Sequence, residues 1–271
     1  MCYNFLVGDT MTKQWIVFFD IDHTIYDPYK REFPNNTIES IKQLHARQDV
    51  IIVIATGRAF YMLDFLEPLW PHIDYVITIN GQIIWHKDQV IADYPMDQVA
   101  VNQVIKVFEK FNLTYGFISK HMQAINRLDD QIANAFNDVN IPLPIVDANY
   151  AQKHPIYQMW AFADKPTFEI IKNHLPNHQL VAWLSDGFDV IPTNKSKRDG
   201  VMAVLEHTGL SLEQSICFGD GDNDKEMIES IPKSIAMGNA KPHIKALAYY
   251  VTKAFDDDGI SHALKKLKLI E

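Results

Sequence analysis

The chain has 271 residues, 47% of them hydrophobic, and a formal net charge of −9, enough apolar material for one large domain or two. The acidic balance, with a pI near 5.6, argues against non-specific nucleic-acid binding, which needs basic patches. No apolar run approaches the roughly 20 residues that span a bilayer, and two distant cysteines, Cys2 and Cys217, exclude a disulfide framework or a CxxC metal site.

The opening MCYNFLVGDTMTK lacks a basic start and a long apolar core, so no secretory signal is expected, and a reducing cytoplasm fits the thiols. Residues 1–10 are expected to be a dispensable extension, with Met1 or Met11 as the start. The patterned chain then alternates. A strand is expected over 15–19, a helix over 38–47 capped by Asn36 or Thr37, a strand over 49–55, a helix over 59–69 and a strand over 75–79. That rhythm belongs to a parallel sheet covered on both faces. A hairpin follows over 81–94, then helices over 96–111 and 122–137, strands over 115–119, 156–163 and 179–185, and a helix over 166–174. Alternating polar and aromatic residues in YQMWAFA and LVAWLS suit a sheet with one open face. The strand–helix rhythm resumes from 196 to 267. The expected architecture is α/β, a core of residues 1–82 and 191–271 with an α+β insert at 83–190.

The first strand ends on FFDIDHTIYD, where Asp20 and Asp22 follow a buried apolar run. Two carboxylates there are costly unless something positive compensates them. In open parallel sheets ligands gather at the carboxyl ends of strands. Thr56, Gly57 and Arg58 stand at the second such end, Asn80 and Gly81 at the third, Asp220, Asp222, Asn223 and Asp224 after SICF, and Gly238 and Asn239 after SIAM. A DxD alone is equally an Asx turn; the second acidic cluster makes a hard divalent cation, Mg2+, the simplest compensation. DGDNDKE is no EF-hand loop, because Lys225 takes the glycine position and Ile231 the position of the last glutamate. GDGDND lacks the third glycine of a dinucleotide fingerprint. A threonine and a free N–H in TGR could seat a phosphate. Lys197 opens a helix against the dipole preference, so it points elsewhere than its own helix, toward a phosphate, with Lys195 as the second choice. Of eleven histidines only His23 lies near this centre.

DIDHT, ATGR, Lys197 in SK, and GDGDND resemble, in order, the four motifs of the haloacid dehalogenase-like (HAD) hydrolases. AMGNA, DDDGI and the Asn80-Gly81 pair further resemble the Cof-type phosphatases with a class IIB cap. The resemblance covers the chain from about Met11 and implies a Rossmann-like parallel-sheet core with an inserted α+β cap. It implies Asp20 as the nucleophile that becomes an aspartyl-phosphate, and Asp22 as general acid and then base. Mg2+ would be held by Asp20, the Asp22 carbonyl and Asp220, with Asp224 supporting from behind. Thr56, Gly57, Lys197 and Asn223 would hold the phosphoryl oxygens. Aspartate rather than threonine at position 22 favours turnover of the phosphoenzyme. One departure stands out: His23 occupies the place of the family's glycine.

The implied activity is a Mg2+-dependent phosphatase of small phosphorylated metabolites, such as sugar phosphates or phosphorylated cofactors. The expected enzyme is cytoplasmic, a monomer or homodimer, with no nucleic-acid or membrane partner. A sugar phosphomutase and a non-catalytic metal- and phosphate-binding regulator are the alternatives. In the cap, Tyr115, Phe117, Trp160 and Trp183 read first as core and second as substrate lining.

Overall fold

A computed structural model describes residues 15–138, 142–182, 186–193 and 195–271. The proposed N-terminal extension with both candidate start methionines, and Trp183, fall outside the described residues. In chain order the elements are β1 (Trp15–Phe19), α1 (Thr37–Ala46), β2 (Val50–Ala55), β3 (Tyr75–Thr78), β4 (Ile83–His86), β5 (Gln89–Asp93), α2 (Gln98–Lys110), β6 (Thr114–Ile118) and β7 (Gln123–Ile125). They continue with α3 (Asp130–Asp138), β8 (Ile145–Val146), β9 (Gln158–Phe162), α4 (Lys165–His174), β10 (His178–Ala182), β11 (Gly187–Pro192), α5 (Lys197–Thr208) and β12 (Ser215–Gly219). The chain closes with α6 (Lys225–Ser230), β13 (Lys233–Ala236), α7 (Pro242–Lys245), β14 (Tyr250–Val251) and α8 (Gly259–Lys266).

The larger sheet runs β14-β13-β12-β1-β2-β3-β4-β5. It is parallel from β14 to β3 and antiparallel through the β4–β5 hairpin. Its central strands are buried from end to end, Trp15 at the start of β1 excepted, because helices cover both faces. The strand period of two sorts their side chains. Val17, Phe19, Ile52 and Ile54 join α1 and α8, while Ile16, Phe18, Ile51 and Val53 join α5 and α6. Phe19 stacks on Phe218 across β1 and β12 at 4.9 Å between ring centres; truncating either ring to alanine would cost about 3–5 kcal/mol. From β1 the chain builds β2 and β3 to one side and later returns to build β12, β13 and β14 on the other. The crevice at this reversal, over the carboxyl ends of β1 and β12, is the place for a ligand.

The smaller sheet runs β10-β11-β9-β6-β7-β8. Helices α2 and α4 bury Val101, Val104, Phe108 and Ile171 against one face. The expected open face is covered as well. Trp160 is 3% exposed, lies over Gly116 and packs on Phe136 of α3. Tyr115 and Phe117 belong to the core under α2, so these three aromatics are core rather than lining.

Other expectations shift. The hairpin β4–β5 belongs to the larger sheet, so the sheet changes after Asp93 rather than at residue 83. A two-stranded hairpin is marginal alone, and the edge of β3 supplies its third strand, fixed by Trp85 Nε1 donating to Thr78 Oγ1 at 3.1 Å. The helix expected over 59–69 is instead two tight turns, Phe60–Met62 and Asp64–Leu66, and a third follows at Trp70–His72. Pro68 and Pro71 remove the N–H groups a continuous helix needs. The helix expected over 122–137 is β7 followed by α3; a short apolar run does not distinguish the two periods. Asn36 stands at the N-cap of α1 but in the left-handed region, and its side chain donates to Asp258 rather than capping. No helix among the described residues is long and apolar enough to cross a membrane.

Candidate active site

Asp20 directly follows β1, and its N–H continues the ladder to the Phe218 carbonyl at 3.0 Å and so fixes the residue at the lip of the crevice. Asp220 follows β12. Oxygens of Asp20, Asp220 and Asp224 lie within 4.8 Å of one another. Lys197, fully buried, places Nζ 2.5 Å from Asp20 Oδ1 and 2.6 Å from Asp224 Oδ1. The other Asp224 oxygen accepts from the N–H groups of Asp220 and Gly221, each at 2.9 Å. Both Asp224 oxygens are therefore engaged, and the residue braces Lys197 and the Asp220 turn. Gly219 permits this fold-back, since a Cβ there would stand 2.6 Å from the Asp224 carboxyl carbon.

Burial pushes the Asp20 carboxyl up to about 7 and Asp220 up to about 8; neighbouring carboxylates add to the rise and Lys197 opposes it. Burial alone would lower the Lys197 ammonium, but Asp20 and Asp224 outweigh it and hold the lysine protonated above its ordinary range. Among the described residues, three carboxylates thus gather at one ammonium, and each offers an oxygen to a cation. Asp220 is steadied by Thr24 Oγ1 at 3.4 Å and Asn239 Nδ2 at 3.1 Å. The donor set fits a hard divalent cation such as Mg2+.

Lys197 reaches this point because the start of α5 is fixed. The Asp199 carboxylate accepts from Ser196 N–H at 2.8 Å and Ser196 Oγ at 3.2 Å. Gly81 (φ +90°) lets the turn after β3 touch this helix start; a Cβ there would fall 2.0 Å from the Ser196 carbonyl oxygen. Lys195 is elsewhere, its ammonium 3.9 Å above the Tyr94 ring.

Asp22 is brought to the rim rather than into the carboxylate cluster. Arg58 grips it through Nε–Oδ2 at 2.8 Å and Nη2–Oδ1 at 2.7 Å, and Phe65 backs the guanidinium at 5.0 Å. Burial disfavours the charged guanidinium, yet Asp22 raises it above its ordinary value. Thr56 is buried, and its Oγ1 accepts from the Arg58 N–H at 3.1 Å, which leaves its own hydroxyl hydrogen for a ligand. Gly57 lies beside the amides of Asn80 and Asn223. His23 adopts φ +59°, which explains the usual glycine there. Its ring leans on Tyr29 and Phe255 and its carbonyl accepts from Asn239 Nδ2 at 3.0 Å. Asp222 points away from the cluster, paired with Lys241 and His243.

Sequence reasoning passed over Arg58 as ordinary and gave Asn80 and Asn239 no task. The TGR triplet after the strand beside that of DxD was the available signal for Arg58; Asn80 and Asn239 lay in motifs already noted, but nothing local said which side chains they would meet.

The family model for haloacid dehalogenase-like hydrolases matches residues 17–264. A Bacillus subtilis (strain 168) protein named "Putative phosphatase YkrA" is 32% identical over 258 residues, covering 94% of this chain and 98% of that protein. Phosphatase YwpJ of the same organism is 25% identical, covering 93% and 99%. Among solved structures, the HAD subclass IIB sugar phosphatase BT4131 superposes with a TM-score of 0.86 at 30% identity, covering 94% of this chain and all of that one.

Proposed function

The chain belongs to the haloacid dehalogenase-like hydrolases and is a phosphoric monoester hydrolase, and from that premise we propose that it hydrolyses small phosphorylated metabolites, sugar phosphates first, through an aspartyl-phosphate. The observation that carries this is the pairing of Lys197 with Asp20 and Asp224 beside Asp220. It leaves one Asp20 oxygen free of the lysine in a pocket built for added positive charge.

Asp20 attacks phosphorus and forms the acyl phosphate while the ester oxygen leaves. Asp22, once it has taken up a proton and an oxygen of it has left the Arg58 fork, gives that proton to the leaving oxygen and then takes one from the attacking water. Thr56, the Gly57 N–H, Lys197 and Asn223 hold the phosphoryl oxygens, where most of the catalytic work of phosphoryl transfer lies. Asp20, the Asp22 carbonyl and Asp220 would hold Mg2+, which when bound offsets the charge gathered by three carboxylates and a phosphate. The smaller domain, as a cap, would exclude bulk water and large substrates. The sugar-phosphate preference rests on the likeness to BT4131.

The test is phosphate release from a panel of sugar phosphates and phosphorylated cofactors, with Mg2+ or with EDTA, beside Asp20→Asn. Metal-dependent release lost in Asp20→Asn is expected. Interconversion of sugar phosphates without release would favour the mutase; metal binding with neither reaction would favour the regulator.

A further inference from the structure

Gln158 opens β9 of the smaller domain and is 3% exposed, yet its side chain reaches the larger one. Its Oε1 accepts from Asn80 Nδ2 at 3.2 Å, and Asn80 Oδ1 accepts from Asn223 Nδ2 at 3.0 Å. Three side-chain amides from distant segments therefore stand in a row. Gly57 lies alongside this row, where a Cβ would stand 3.2 Å from Asn80 Oδ1, 3.4 Å from Asn80 Nδ2 and 3.5 Å from Asn223 Nδ2. Asn223 Oδ1 faces the Gly221 backbone, 2.7 Å from where a Cβ would be, so its nitrogen is the end turned toward Gly57.

The central amide is held at a conformational cost. Ile79, Asn80 and Gly81 occupy the left-handed region in succession, at φ 50°, 53° and 90°. A β-branched residue resists that region, so the surroundings must impose it. Asn80 is 5% exposed and cannot exchange Gln158 for bulk water. Because one Asn80 nitrogen hydrogen goes to Gln158, its oxygen is directed at Asn223. That takes one hydrogen of the Asn223 amide and leaves the second for a phosphoryl oxygen.

We propose that Gln158 is a positioning residue. Through Asn80 it orients Asn223, so the phosphate cradle is complete only when the smaller domain seats β9 over the end of β3. The proposal rests on Thr56, Gly57 and Asn223 forming that cradle.

The test uses the full chain with Mg2+ and reads orthophosphate affinity by calorimetry, alongside kcat and KM for a hydrolysed ester. Gln158→Met keeps the volume and removes the acceptor. It is expected to weaken orthophosphate by about fivefold to tenfold, the size of one lost hydrogen bond, with kcat/KM for the ester falling at least as far. In an Asn223→Ala background the same change should cost less than about twofold, because the relay has lost its end. Should Gln158→Met not fold, Gln158→Asn, too short to reach Asn80, is expected to give the same loss. Orthophosphate affinity within about twofold of the unsubstituted protein, or an equal loss in both backgrounds, overturns the proposal. If the unsubstituted protein neither binds nor releases phosphate, the proposed function falls and takes the relay with it. If it does both and the substitutions are silent, only the relay falls.

Discussion

Arg58 holds both carboxylate oxygens of Asp22, at 2.8 and 2.7 Å, from the turn that also carries Thr56 and Gly57. The group proposed to move protons is thus aimed by the loop proposed to bind phosphate. A planar fork makes two parallel bonds that a lysine cannot reproduce. Arg58→Lys is expected to lower kcat by about tenfold to a hundredfold, roughly 1.4–2.7 kcal/mol in the barrier, with a smaller change in KM. Steady-state kinetics on the best ester checks it; a change confined to KM would mean that Arg58 binds substrate instead.

Among the described residues, Lys197 is the one cation paired with Asp20 and Asp224, and it is fully buried. Removing one partner from a buried ion pair leaves charge without compensation. Lys197→Met should destabilise the protein by about 3–5 kcal/mol and abolish phosphate release. Urea unfolding of both proteins reads the first effect. A loss under about 1 kcal/mol would show that the carboxylates shed their charge when the lysine is absent.

Metal binding should be linked to pH. Folded and metal-free, Asp20 keeps its proton up to about pH 7 and Asp220 up to about 8, against 3.8 for an ordinary aspartate. Between those limits the folded state binds more protons than the unfolded one, so these groups make stability fall as pH rises from about 4 to 8. Mg2+ takes the ionised carboxylates. Its stabilisation should therefore be larger at about pH 8 than at about pH 5.5. Thermal melts with Mg2+ and with EDTA at both pH values measure the difference. Equal shifts would place the metal away from Asp20 and Asp220.

His23 sits at φ +59° with its ring on Tyr29 and Phe255. Glycine would relieve the backbone and lose the ring contacts; alanine would lose the contacts and keep the strain. His23→Ala should be less stable than His23→Gly by about 1 kcal/mol. Denaturant midpoints of the two variants decide this, and the reverse order would mean that the turn holds no strain.

Much of the larger domain was legible in the sequence because its signals are local. β-branched runs such as Val50–Ala55 mark buried strands, and each short polar motif follows such a run. Asp20, Asp220, Asp224 and Lys197 were identifiable because the carboxyl ends of parallel strands share one edge, so residues some two hundred positions apart could be assigned to one site before any coordinates. The tight turns over 60–72 and the strand over 123–125 were less legible, since short apolar segments satisfy either period.

What the sequence by itself determined is which polar groups stand at the strand ends: which carboxylates, which lysine-bearing helix, which threonine. Tertiary structure alone decided the pairings. It chose Lys197 over Lys195, because Gly81 lets the helix start approach and Tyr94 takes the other ammonium. It gave Asp22 to Arg58, turned Asp222 outward to Lys241, and joined Gln158 to Asn223 through Asn80. Each is a contact between side chains far apart in the chain, and its geometry follows from how sheets and helices pack rather than from the residues next to it.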